Sequence, residues 1–106
     1  MTKIRFEWDE AKNLSNQRKH GISFEQASQV FFDPLHIVVD DRVIEGEQRW
    51  QALGLIRRVA RDLLLLLVVH TARENEEGEE WVETVRIISA RRATPEERRV
   101  YEDENG

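Results

Sequence analysis

Seven consecutive positions, Leu63-Leu64-Leu65-Leu66-Leu67-Val68-Val69, are apolar without interruption. A membrane-crossing helix needs about 20 such residues, so the run is far too short to span. It reads as a strand, and a strand that is apolar on both faces must be covered on both. A chain of 106 residues supplies few elements for two covers. The helices are expected to form one, and a partner chain the other, because an apolar sheet left open is an association surface.

The remaining elements follow from periodicity and caps. Residues 4–8 alternate as Ile-Arg-Phe-Glu-Trp and predict a short strand. Asp9 can cap a helix that runs to about His20. Gly21 supplies its left-handed stop, and Lys19 and His20 sit at its negative end. Ser23 and Gln26 form a capping box for a second helix, with Ile22 and Ala27 at the staple positions. Phe24, Ala27, Val30 and Phe31 are spaced for one buried face. Asp33-Pro34 ends that helix, because proline disfavours helix in the residue before it. Four strands are expected over 36–41, 47–57, 63–72 and 81–90, with Trp50, Ala52, Gly54 and Ile56 on one face. Thr94, Pro95 and Glu97 open a last helix reaching about Tyr101. No internal repeat or linker divides the chain. It predicts one α+β domain over 1–106, with a mostly antiparallel sheet of four to five strands, two N-terminal helices and one C-terminal helix. Residues 74–80 are expected as an acidic loop, and 102–106 as an acidic tail.

Charge and motifs narrow the chemistry. The net charge is −5, yet residues 74–80 carry −5 and the tail −3, which leaves a framework of +3. An anionic ligand can still find a positive face. There is no cysteine, so disulfides and thiolate metal sites are excluded. The start, Met1-Thr2-Lys3-Ile4-Arg5, has no apolar signal segment, and a cytoplasmic protein with no membrane association is expected. His20, His36 and His70 lack metalloprotease spacing, no acidic motif matches a calcium loop, and the glycines are isolated. Ser89 has no nucleophile-elbow context. No metal and no cofactor are expected.

What remains is a set of basic and proton-transferring groups at element ends. Lys19 and His20 close the first helix, Arg49 lies on a long strand, and His70 and Arg73 lie near the end of the apolar strand. Arg91 and Arg92 end the last strand inside Arg86-Ile87-Ile88-Ser89-Ala90-Arg91-Arg92. Tyr101 lies two turns into the final helix. Metal-free RNA cleavage needs such groups: one to deprotonate the ribose 2′-hydroxyl, one to protonate the leaving oxygen, and arginines to hold the phosphate charge. Each also has an ordinary role. Lys19 and His20 suit the helix dipole. His70 shares a face with Leu64, Leu66 and Val68, as a core histidine would. Arg49 can pair with Glu47 or Glu83, and Arg73 with the neighbouring acids. Trp8, Trp50 and Trp81 suit a core or a partner contact better than base stacking.

Ordered along nearly the whole chain are Phe6-Glu7-Trp8-Asp9 with Lys12 and Asn16, Lys19-His20-Gly21-Ile22, and Val30-Phe31 with Asp33-Pro34. Gly46-Glu47 with Arg49 and Gly54 follow, then Val68-Val69-His70-Thr71 with Arg73, and Arg86 to Arg91 with Glu97 and Tyr101. In this combination the chain resembles the BrnT toxins of type II toxin–antitoxin systems. The resemblance implies a RelE-like fold and a metal-independent ribonuclease that arrests translation. It also implies a BrnA-type antitoxin whose complex with the toxin binds operator DNA. On this reading Arg73 and Arg91 are phosphate-binding catalytic residues, and Lys19 or His20 is the proton-transfer group. Arg49, Arg92 and Tyr101 contact substrate. The acidic segment 74–80 and the acidic tail depart from the family pattern. They favour the rival expectation, a non-catalytic co-repressor subunit.

Overall fold

The computed structural model describes residues 2–58 and 62–106. Strand β1 (Thr2–Glu7) leads into helix α1 (Glu10–His20), which is followed by α2 (Phe24–Ser28) and a 3-10 turn (Gln29–Phe32). Four strands come next: β2 (Ile37–Ile44), β3 (Glu47–Arg57), β4 (Leu63–Glu77) and β5 (Glu80–Arg92). Helix α3 (Pro95–Asn105) closes the chain. The spatial order is β1-β5-β4-β3-β2. Three ladders are antiparallel, but β1 runs parallel to β5, with Phe6 beside Val85. The sheet is therefore mixed, with β1 as the parallel exception. The chain must cross the sheet through α1 and α2 before it returns, and such crossovers make parallel neighbours. Among the described residues no helix is long and apolar enough to cross a membrane.

The caps form as their side chains require. Asp9 accepts the Lys12 amide, and Gly21 ends α1 at φ 71°. Ser23–Gln26 and Thr94–Glu97 are both complete capping boxes. Helix α1 does not bury an apolar stripe. Its inward residues are Asn13 and Asn16. The Asn16 amide donates to the carbonyls of Ile22 and Ala90 at 2.8 and 2.9 Å and accepts from Ala90 N–H. Asn13 accepts the Phe24 amide at 2.8 Å. These bonds fasten α1 to β5 and to the start of α2. The expected second helix is only five residues long before it tightens into the 3-10 turn. A close approach accompanies the tightening: a Cβ on Gly54 would lie 2.8 Å from Val30 Cγ1 and 3.0 Å from His36 Cβ. The turn thus sits directly on β3, where only glycine leaves room.

Ile22, Phe24, Ala27 and Val30 pack on Ala52, Ile56, Leu66, Val68, Val85 and Ile87, which form the main core. On the other face α3 closes a smaller cluster of Leu53, Leu65, Leu67 and Tyr101. The apolar strand therefore has both covers from its own chain, and the expected need for a partner over it is overturned at Leu65 and Leu67. The acidic segment is also not a loop. Strand β4 continues to Glu77 and β5 begins at Glu80, so 74–80 is the tip of a long hairpin. Arg5 grips Glu77 with both guanidinium nitrogens, at 3.0 and 3.1 Å, and Lys3 lies 3.6 Å from Glu80. Nor are the last acids a loose tail. Glu102 to Asn105 lie in α3, and the Asn105 amide donates to Leu35 and Tyr101 carbonyls.

Candidate functional site

On the α3 face of the sheet, arginines gather in neighbouring rows. Core residues Val85 and Ile87 point toward the helices, so Arg86 between them points away. Its cross-strand partners are Thr71 on β4 and Glu7 on β1. Arg49 follows the same rule. Its neighbour Trp50 pairs with His70, which abuts Phe31 on the helix-covered side, so Arg49 faces α3's side. Neither Arg49 nor Arg86 forms an ion pair among the described residues. Thr71, buried at 3% exposure, lies between their rows.

A bulge brings Arg91 to the same face. Val69 pairs with Ser89, whereas His70 pairs with Ile87, so Ile88 is an extra residue in β5. In a regular strand, residues five apart face opposite sides. The extra residue reverses the alternation, and Arg91 lies opposite Leu67 on the face that carries Arg86. Arg91 is held there by Glu97 of α3 through two bonds of 2.8 and 2.9 Å. That bidentate contact raises the Arg91 pKa and holds the Glu97 carboxyl below its usual range. On the opposite flank Arg73 donates to Glu7 at 2.9 Å, rather than to the acidic residues beside it. Arg49 and Arg86, which have no acidic partner among the described residues, thus lie between two arginine–glutamate pairs.

Other residues singled out in the sequence lie elsewhere. Lys19 and His20 are exposed at the end of α1, in the layer on the far side of the sheet. Arg92 lies opposite Leu66, on the helix-covered side, and is exposed. None of the three joins Arg73 and Arg91. The Tyr101 hydroxyl donates to Asp33 Oδ2 at 2.6 Å, where it ties α3 to the segment after the 3-10 turn. Burial first, then Asp33, push its pKa up to about 12, so the phenol keeps its proton. Asp33 is pushed up by partial burial. The amide of Leu55, the Tyr101 phenol, the Leu35 amide and His36 outweigh that and hold its pKa low. His70 is a core histidine at 3% exposure. Arg86 opens the Arg86–Arg91 motif, but alternation alone would separate it from Arg91. Only the bulge reveals that they share a face. Among the described residues no cluster of three or more histidine or acidic side chains is placed to hold a metal ion.

Residues 8–97 match the model of a family described as the ribonuclease toxin BrnT of type II toxin–antitoxin systems. No curated protein matches the chain significantly. The match covers most of the sequence and includes Arg49, Arg73, Arg86, Arg91 and Glu97, so the chain belongs to the BrnT family. An antitoxin protein and an RNA target go with that membership.

Proposed function

From that membership, we propose that the chain is a metal-independent endoribonuclease of RelE-like fold that cleaves RNA on its arginine face and so arrests translation. The observation that carries the reading is the pair Arg49 and Arg86, two unneutralised guanidiniums on one sheet face. Planar guanidiniums suit phosphate oxygens and stay charged at any working pH. Arg73 and Arg91 flank them and move onto phosphate when RNA displaces Glu7 and Glu97. Glu7, the cross-strand neighbour of Arg86, then takes the 2′-hydroxyl proton. The 2′-oxygen attacks phosphorus, the bond to the 5′-oxygen breaks, and the proton passes to that leaving oxygen. The products are a 2′,3′-cyclic phosphate and a 5′-hydroxyl. The four arginines stabilise the added negative charge of the pentavalent state. Lys19, His20 and Arg92 have no part in this assignment, because their positions separate them from the face, and Tyr101 has none because its hydroxyl is committed to Asp33.

A BrnA-type antitoxin is proposed to cover the arginine face in the cytoplasm, in a complex that binds operator DNA. Beside Arg91 and Glu97, Ile37, Val39 and Val100 line an apolar groove that gives such a partner a footing. A co-repressor without nuclease activity is the second reading, favoured by the five glutamates of 74–80 and the net charge of −5. The purified chain is expected to cleave RNA in EDTA and to leave cyclic or 3′-phosphate ends. Cleavage that vanishes on chelation and returns with magnesium rules out this mechanism. Induced expression without a partner is expected to stop growth. Normal growth with folded protein establishes the co-repressor reading instead.

A further inference from the structure

The opposite side of the sheet has a recess that meets the arginine face at Arg73. Beyond the cover of the N-terminal helices, Phe31, His36, Trp50, His70, Glu74 and Glu83 line a cavity of about 470 Å³. Its two histidines are set alike. The Nδ1 of His70 lies 3.3 Å from the Val68 carbonyl oxygen, and that of His36 lies 2.7 Å from the Asp33 carbonyl oxygen. A carbonyl only accepts, so each Nδ1 carries the proton and donates it. In a neutral ring so bonded, Nε2 is the acceptor. Neither Nε2 has a hydrogen bond among the described residues. His70 is 97% buried in terms of its residue surface, being 3% exposed. Yet among the described residues no sealed polar side-chain atom lacks a partner. The free nitrogen of His70 therefore opens into the recess that the ring lines. Burial, helped by the nearby His36, lowers the His70 pKa despite the bond to Val68, so the ring is a neutral acceptor at pH 7.

Two carboxylates stand at the mouth. Glu74 and Glu83 are direct cross-strand partners, and neither forms an ion pair among the described residues. Like charges placed opposite each other destabilise a sheet. Arg73, next in sequence to Glu74, spends its guanidinium on Glu7 across the sheet. The recess thus offers the neutral Nε2 of His70 as an acceptor inside, unpaired carboxylates outside, and the rings of Phe31 and Trp50 as walls. A planar cation with several N–H donors satisfies all three at once, because it donates in its plane and stacks on aromatic rings. We propose that this recess is a binding site for a guanidinium group. The group comes from an arginine-like small molecule or from an arginine side chain of a docking protein. The site shares Arg73 with the arginine face, but not Arg49, Arg86 or Arg91.

The test titrates the intact chain with N-acetyl-arginine amide, with a short arginine-containing peptide, and with the neutral citrulline counterpart of the amide. Histidine ring signals are followed by NMR. The expected result is a saturable shift of the His36 and His70 signals by both guanidinium compounds, with the citrulline compound about tenfold weaker or worse. Tighter binding of the peptide than of the amide assigns the site to a protein partner. Equal binding assigns it to a small molecule. Glu83→Gln and Glu74→Gln are expected to weaken binding by about tenfold while raising the melting temperature of the free chain, because they remove the like-charge contact. No saturable shift, equal binding of the citrulline compound, a shift with zinc alone, or unchanged binding in both glutamine variants overturns the proposal.

Discussion

On the helix-covered face of the sheet, Ile22, Phe24, Ala27 and Val30 are fully buried, and the polar groups among them are amides bonded to backbone. On the α3 face a smaller cluster of Leu53, Leu65, Leu67 and Tyr101 closes over, and the rows beyond carry Arg49, Thr71 and Arg86. Both faces belong to the same strands, so the difference comes from which side each residue falls on. It teaches that this protein separates its main core from its arginine cluster across the thickness of one sheet. Substitutions on the two faces are therefore expected to fail in different ways.

The largest effect is expected from the open arginines. Arg86→Ala and Arg49→Ala each lose on the order of a hundredfold or more in RNA cleavage rate, as removal of a transition-state charge donor does. Their melting temperatures stay close to that of the parent, since neither ion pair nor core contact is lost. A large loss of stability in either variant would merge the two faces. Asn16→Ala is the counterpart on the helix side. It orphans the buried carbonyls of Ile22 and Ala90 and the Ala90 amide. Urea denaturation should show a loss on the order of 3 kcal/mol. Cleavage per folded molecule should hold.

Tyr101 sharpens the comparison because it belongs to the α3 face yet acts structurally. Tyr101→Phe is expected to cost about 1 kcal/mol at neutral pH. The phenol leaves its proton near 10 in the unfolded chain but keeps it to about 12 when folded. Between those values the folded state holds the extra proton, so stability falls as pH rises through the window. The phenylalanine variant should lack that alkaline loss. Asp33 works in the opposite sense. Its folded pKa lies below the ordinary 3.8, so its contribution is present above that value and is lost as pH falls through the folded pKa. Parallel denaturation curves across both ends of the pH range check the two signs. The smallest effect is assigned to Arg92→Ala. Its side chain lies across the sheet from Arg91, so it should keep most of the activity that Arg91→Ala loses.

The sequence could be read wherever the cause is local. Asp9, Ser23 with Gln26, and Thr94 with Glu97 mark the helix starts because a cap is a contact over three residues. The unbroken apolar run marked β4 as a strand, and alternation gave the shared face of Trp50, Ala52, Gly54 and Ile56 in β3. The misses come from long-range causes. The hairpin tip looks like a solvated acidic loop until Arg5 and Lys3, more than seventy residues earlier, are found beside it. Helix α1 has no apolar stripe to read, because Asn13 and Asn16 do its packing. For the site, Arg49, Arg73 and Arg91 could be picked as basic strand residues. Arg86 shares the face of Arg73 by alternation, but Arg91 joins it only through the bulge at Ile88, which no alternation pattern encodes. Lys19 and His20 carry the right chemistry, but chain order does not show which layer they occupy.

The unequal lengths of β3 and β4 have a further consequence, for self-assembly. The β3 ladder on β4 ends at His70, while β4 runs on to Glu77. From Thr71 outward one edge of β4 is without a strand neighbour among the described residues, and its N–H and C=O groups could template the same segment of another molecule. Glu74, Glu76 and Glu77 stand along that edge. Docking two copies there would crowd six carboxylates into one new ladder, which at neutral pH opposes the pairing that the backbone invites. The acidic stretch thus disfavours edge-to-edge aggregation.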